Sequence, residues 1–113
     1  MCADDLIYAE NEIGSQWVWE QLKGKYRMLK FSGDVDGAVP TTGSRNWIDS
    51  LDRTINEPWR EWFLPHSPVA SGSIVEYDGL TFATVHGAGH MAPQFKPAQT
   101  YHLIFQWLKQ QPI

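Results

Sequence analysis

A mixed α/β fold is predicted for this chain, and three observations predict it. Tyr26 to Phe31 is a short run with Met28, Leu29 and Phe31 apolar on both faces, as a strand buried in a parallel sheet requires. Asp78-Gly79 separates Ser73 to Tyr77 from Leu80 to Val85, the pattern of a β-hairpin with a two-residue type I′ turn. Pro97 opens a helix with Tyr101, Ile104, Phe105 and Leu108 at i, i+3, i+4 and i+7.

The remaining elements fall into order around these. Gln16 to Leu22 reads as a short helix that Ser15 is placed to cap, and Gly24 ends it. The strand at Tyr26 follows, with Lys30 as its misfit, since a charge in a central strand must snorkel or pair. Ser32-Gly33-Asp34-Val35-Asp36-Gly37 is turn chemistry. After Pro40, Thr41 to Leu51 reads as a helix with Trp47, Ile48 and Leu51 on one side and an Arg45/Asp49 i,i+4 pair. Asn56 to Pro68 mixes Trp59, Trp62 and Phe63 with prolines and charges, and is expected to be an irregular excursion whose aromatics dock on a neighbouring surface. Beyond the hairpin lies a Gly-rich loop, His86 to Pro93.

The length of 113 residues allows one domain. One good central strand plus a hairpin offers little core to close over, and a chain of this size buries well under ~70% of its unfolded surface. Six Trp, four Tyr and five Phe must nevertheless be covered by something. The piece is therefore expected to pack on more protein. The net charge is −4 and the nine basic residues are scattered, which argues against a nucleic-acid ligand. No apolar run approaches the ~20 residues of a membrane span. Met1 to Glu12 is polar and acidic and does not read as a signal peptide, so either the protein is cytosolic or its true N-terminus lies elsewhere. Cys2, the single cysteine, is either an inert thiol or half of a disulfide to another segment.

Two loops carry residues fit for chemistry. Ser32 to Asp36 lies just past a strand's C-terminal end, the edge at which open α/β sheets place reacting groups. Gly87-Ala88-Gly89-His90 follows the second hairpin strand, and its small residues let the backbone turn tightly and leave the imidazole projecting. An Asp and a His on adjacent strand ends make a carboxylate–imidazole pair. The carboxylate accepts Nδ1–H and fixes the tautomer, and Nε2 is left as a general base. α/β-Hydrolases run Ser, then Asp or Glu, then His, and Asp36 before His90 fits that order. Taken singly, an Asp in a Gly-rich turn or a His in a loop is most often structural. A metal site from His86, His90, Asp34 and Asp36 competes, but i,i+4 histidines bind zinc well on a helix, and Gly87-Ala88-Gly89 opposes one.

Read in full, both loops resemble the serine carboxypeptidase family. Tyr26 to Pro40, with its Ser-Gly-Asp-Val-Asp-Gly, is similar to the family's aspartate segment. Thr84 to Pro93, with Lys96-Pro97 after it, is similar to its histidine signature, a Gly-x-Gly-His-x-x-Pro core. Val75 to Thr81 and the helix from Thr41 with Arg45 and Trp47 also resemble it. The resemblance covers Cys2 to about Pro112 here, and only the last stretch of a family member. It implies that the chain is the C-terminal portion of an α/β-hydrolase fold, incomplete alone. It implies Asp36 as triad aspartate, preferred over Asp34 on the family pattern, and His90 as general base. Met91 is implied to line the pocket for the leaving C-terminal amino acid. Cys2 is implied to be disulfide-bonded to an earlier segment, and the location to be lysosomal, vacuolar or secreted.

The departures matter equally. There is no Gly-x-Ser-x-Gly, and Lys30 stands where the family usually has an aliphatic residue. Ser67 to Ile74 also departs from the pattern. A triad acts as a unit, so this chain alone is expected to be inactive. The expected function is a serine carboxypeptidase segment acting on peptides without metal or cofactor, with the serine from a missing N-terminal part or second chain. The alternatives are a partner-binding module using exposed Trp residues, or an acyltransferase or lyase on the same scaffold.

Overall fold

The computed structural model describes residues 14–113. Its elements are α1 (Gln16–Leu22), β1 (Met28–Gly33), α2 (Thr41–Asp49), β2 (Ile55–Phe63), β3 (Ala70–Tyr77), β4 (Leu80–Val85), α3 (Ala92–Phe95) and α4 (Pro97–Leu108). Cys2 lies outside the described residues. The four strands form one mixed sheet in the order β1-β4-β3-β2. β1 runs parallel to β4, in register from Met28/Leu80 to Gly33/Val85, while β2–β3 and β3–β4 are antiparallel. This α/β arrangement is that of a partial α/β-hydrolase-type fold.

Successive strand residues point to opposite faces, so the apolar runs feed two cores. One face gathers Met28, Ile48, Val75, Tyr77, Leu80 and Phe82, with Trp19, Leu22, Trp47, Leu51 and Trp59 packed against it from α1, α2 and β2. The other gathers Trp62, Ile74, Ala83, Val85, Ala88 and Leu103. Arg53 is buried and ties α1 to the hairpin, donating to the Trp19 carbonyl at 2.7 Å and the Asp78 carbonyl at 3.0 Å.

Several expectations are corrected. The stretch from Asn56 is not irregular: it forms β2, paired along β3 with a register shift that spans Pro58, between Glu57 and Arg60. The proline is tolerated because β2 is an edge strand and the bulge releases the ladder there. The hairpin turn is not type I′, which needs positive φ at both central residues. Gly79 has φ of 71°, but Asp78 is not among the residues with positive φ. Tertiary bonds hold this turn instead: Asp78 N–H donates to Thr54 at 2.9 Å and Met28 N–H to the Gly79 carbonyl at 3.0 Å. Ser15 occupies the N-cap of α1 without a capping side-chain bond. The row Tyr101, Phe105 and Leu108 on α4 is exposed, and the helix buries Thr100 and Leu103.

Candidate active site

Parallel pairing of β1 with β4 brings their C-terminal ends to the same edge of the sheet. The Asp loop leaves β1 after Gly33 and the His loop leaves β4 after Val85, so the two start side by side. They are stitched by Asp34 N–H to the Val85 carbonyl at 3.2 Å and Val35 N–H to the Ala88 carbonyl at 3.1 Å. Gly33 makes this approach possible: a Cβ there would collide with the carbonyls of Ala88 and Gly89. Gly87, at φ of 65°, supplies the left-handed turn that starts the His loop.

Asp36 and His90 meet, with Oδ2 2.9 Å from Nδ1. A carboxylate only accepts, so Nδ1 carries a proton, and in the neutral ring Nε2 keeps its lone pair. The Asp36 side chain is 7% exposed and the His90 ring 64% exposed. Asp36 Oδ1 accepts the backbone N–H groups of Ala38 at 2.8 Å and Val39 at 3.0 Å. The Val39 bond, more than the His90 and Ala38 bonds beside it, holds the Asp36 carboxyl below its ordinary range against the opposing effect of burial. A carboxylate fully engaged by three donors is a fixed anion, suited to orient an imidazole and stabilise its protonated form.

Asp34 does something else. Its Oδ2 lies 2.7 Å from His86 Nδ1, and its Oδ1 accepts Gly87 N–H at 2.7 Å. The four residues weighed as a metal set therefore sort into two imidazole–carboxylate pairs. Sequence reasoning missed the second pair. The signal was positional: Asp34 and His86 are the first residues past β1 and β4, which parallel pairing sets abreast. Met91, next to His90, is half exposed.

A cleft of about 230 Å³ opens beside the Asp36–His90 pair, lined by Lys30, Ser32, Asp36, Val39 and His90. The Ser32 hydroxyl is buried there without a hydrogen-bond partner among the described residues. Lys30 reaches the Phe31 carbonyl at 3.4 Å. Burial pulls its amine below the usual lysine range, and the nearby Asp36 charge opposes that shift.

Comparison with known proteins gives a consistent result. A profile of the serine carboxypeptidase family matches residues 1–110. The chain is 35% identical to serine carboxypeptidase-like 32 of Arabidopsis thaliana over 99% of its own length and 25% of the relative's. It is 38% identical to serine carboxypeptidase 1 of Hordeum vulgare over 96% of this chain and 22% of that one. It is also 32% identical, over 98% of its length and 20% of the relative's, to the P-(S)-hydroxymandelonitrile lyase of Sorghum bicolor. The chain thus spans 20–25% of the length of these relatives.

Proposed function

This chain belongs to the serine carboxypeptidase family, and from that premise we propose that it is the Asp- and His-bearing part of a serine-type carboxypeptidase. The nucleophilic serine comes from polypeptide outside these 113 residues. The observation that carries the reading is the 2.9 Å bond between Asp36 Oδ2 and His90 Nδ1, which leaves Nε2 free on an exposed ring. His90 Nε2 takes the proton of the serine hydroxyl as Oγ attacks the carbonyl carbon of the last peptide bond. The imidazolium then gives that proton to the leaving nitrogen, the C–N bond breaks, and a free amino acid departs from an acyl-enzyme. Water, deprotonated by the same nitrogen, completes hydrolysis. Asp36 holds the tautomer throughout. Met91 borders the path of the leaving residue.

The cleft beside the pair, with its unpartnered Ser32 hydroxyl, supports a further segment seated there. Cys2 is proposed to bond that missing part, in a lysosomal, vacuolar or secreted protein. The partner-binding alternative based on exposed tryptophans has one exposed tryptophan to rest on. Trp62 is in the core, Trp19, Trp47, Trp59 and Trp107 are partly buried, and Trp17 alone of the six is exposed. The lyase alternative keeps one observation in its favour, the similarity to a relative named as a lyase.

The test is reconstitution. The lone chain is expected to leave blocked dipeptides intact at any pH. Adding a portion with a Gly-x-Ser-x-Gly segment is expected to restore release of the C-terminal amino acid, with sensitivity to a serine-directed phosphonate and loss of turnover in His90→Ala. Full activity with both Asp36 and His90 replaced by Ala overturns the reading. Cleavage of a cyanohydrin in place of a dipeptide assigns the scaffold to the lyase class.

A further inference from the structure

We propose that Asp34 and His86 form a positioning pair, which fixes the loop that carries His90 and so keeps the His90 ring in one tautomer. The inference rests on the reading of Asp36 and His90 as the acid–base pair, and it adds a second carboxylate–imidazole contact with a different task. Among the described residues the His90 ring is held at a single point, Nδ1 to Asp36, and its side chain is 64% exposed. One hydrogen bond fixes a distance but not the plane of a ring or the height of the loop beneath it. Something else must set where Cα of residue 90 sits.

The Asp34 carboxylate is placed to do this. Both of its oxygens cross to the His loop, one to His86 Nδ1 and one to Gly87 N–H, each at 2.7 Å. The Gly87 bond falls on the residue whose left-handed conformation starts the loop. Two backbone bonds continue the same seam, from Asp34 to Val85 and from Val35 to Ala88. Ala88 is fully buried and plugs into the core, so the segment between Val85 and Ala88 is clamped from both sides. His90 then projects only two residues beyond the clamp. Remove Asp34, and both its bonds at the start of the loop go.

The pair's exposure separates this role from plain structural support. The side chains are 44% and 31% exposed for His86 and Asp34. A half-exposed side-chain pair contributes little to overall stability, so its effect is local. Neither side chain lines the cleft beside His90. In an active protein a displacement of about 1 Å in the base costs on the order of 10²-fold in rate, so a device for holding the loop has a use.

The experiment reads the imidazole and not turnover, so its failure and that of the peptidase reading are separable. The full 113-residue chain is labelled with ¹⁵N-histidine, and the His90 tautomer is taken from the ring nitrogen shifts. Before substitution, His90 is expected to be almost wholly the Nδ1–H form. In His86→Ala and Asp34→Ala it is expected to lose that form and drift to the mixture of a free imidazole, while the amide signals of β1 and β4 stay in place. His86→Asn, whose amide nitrogen donates from near the place of Nδ1, is expected to keep it. An unchanged His90 tautomer in the alanine variants overturns the proposal, as does a mixed tautomer in the unsubstituted chain. If Asp34→Ala loses the β1 and β4 signals, the His86 pair decides: equal behaviour of His86→Ala and His86→Asn overturns the proposal, and a difference in the stated direction supports it.

Discussion

At the scale of single residues, one carboxylate is the most heavily engaged group of the candidate site. Asp36 is nearly buried, yet three donors keep it ionised: the Val39 and Ala38 amides and the His90 ring. Its carboxyl is held below the ordinary 3.8 chiefly by the Val39 bond. A depressed carboxyl contributes stability that is fully present above its unfolded value and is lost as pH falls through the folded one. The Asp loop should therefore stay tied until pH falls below about 4. Asp36→Asn removes that component, so the acid limb of its stability curve is expected to be flatter below that pH, as an acid-unfolding series would show. In a reconstituted enzyme the same substitution is expected to lower kcat on the order of 10⁴, because an amide no longer selects the Nδ1–H tautomer. Retained activity in Asp36→Asn would move the triad role elsewhere.

At the scale of elements, the readable parts were those whose local chemistry and tertiary setting agree. The hairpin strands, the helix from Pro97 and the two loops could be placed from the sequence because alternation, proline and glycine each act locally. β2 could not, because Pro58 and the charges Glu57, Arg60 and Glu61 argue against a strand interior. What makes it a strand is the partner β3 and the burial of Trp62, whose indole N–H donates to the Thr84 carbonyl at 3.0 Å. The row on α4 is helical as read and yet exposed, because helical spacing shows a face without showing what covers it. The choice of Asp36 over Asp34 rests on the family pattern alone, since both sit in one turn and each meets a histidine, and the Asp34–His86 pair needed the parallel register.

Two substitutions test elements. Gly33→Ala puts a methyl group against the Ala88 and Gly89 carbonyls, and backbone cannot swing aside as a side chain can. A loss of about 1–3 kcal/mol is expected, the range for overpacking, measured by urea unfolding; unchanged stability would mean the two loops are not packed as described. Tyr77 joins β3 to α2 through its hydroxyl, 3.1 Å from Asp49. Burial, then the Asp49 bond, pushes the phenol up to about 12. A raised phenol contributes stability that is complete below pH 10 and is lost as pH rises from there toward 12. Tyr77→Phe is expected to abolish that alkaline dependence in a pH series of unfolding curves.

At the scale of the whole molecule, the sheet is bounded among the described residues by two edge strands, β1 and β2. The radius of gyration is 15.5 Å, against ~13 Å for a compact chain of about 100 residues. Tyr101, Phe105, Leu108 and Phe95 stand exposed on α3 and α4. β1 pairs with β4 along one edge, and no strand among the described residues takes the other. The direction of each amide follows from the ladder. Met28 N–H and Asp34 N–H donate toward Gly79 and Val85, so the even residues between them face β4, and Leu29 and Phe31 face outward. Bare edges and exposed aromatics of this kind are features that a covering segment would satisfy. In the isolated chain, the Leu29 and Phe31 amides are expected to exchange with solvent rapidly while those of Lys30 and Ser32 are protected. A hydrophobic dye is expected to bind as well. On adding the serine-bearing portion, Leu29 and Phe31 are expected to become protected and the dye to be released. Slow exchange at Leu29 and Phe31 in the isolated chain would mean that this edge is already satisfied, and that the serine-bearing segment joins the molecule somewhere other than beside β1.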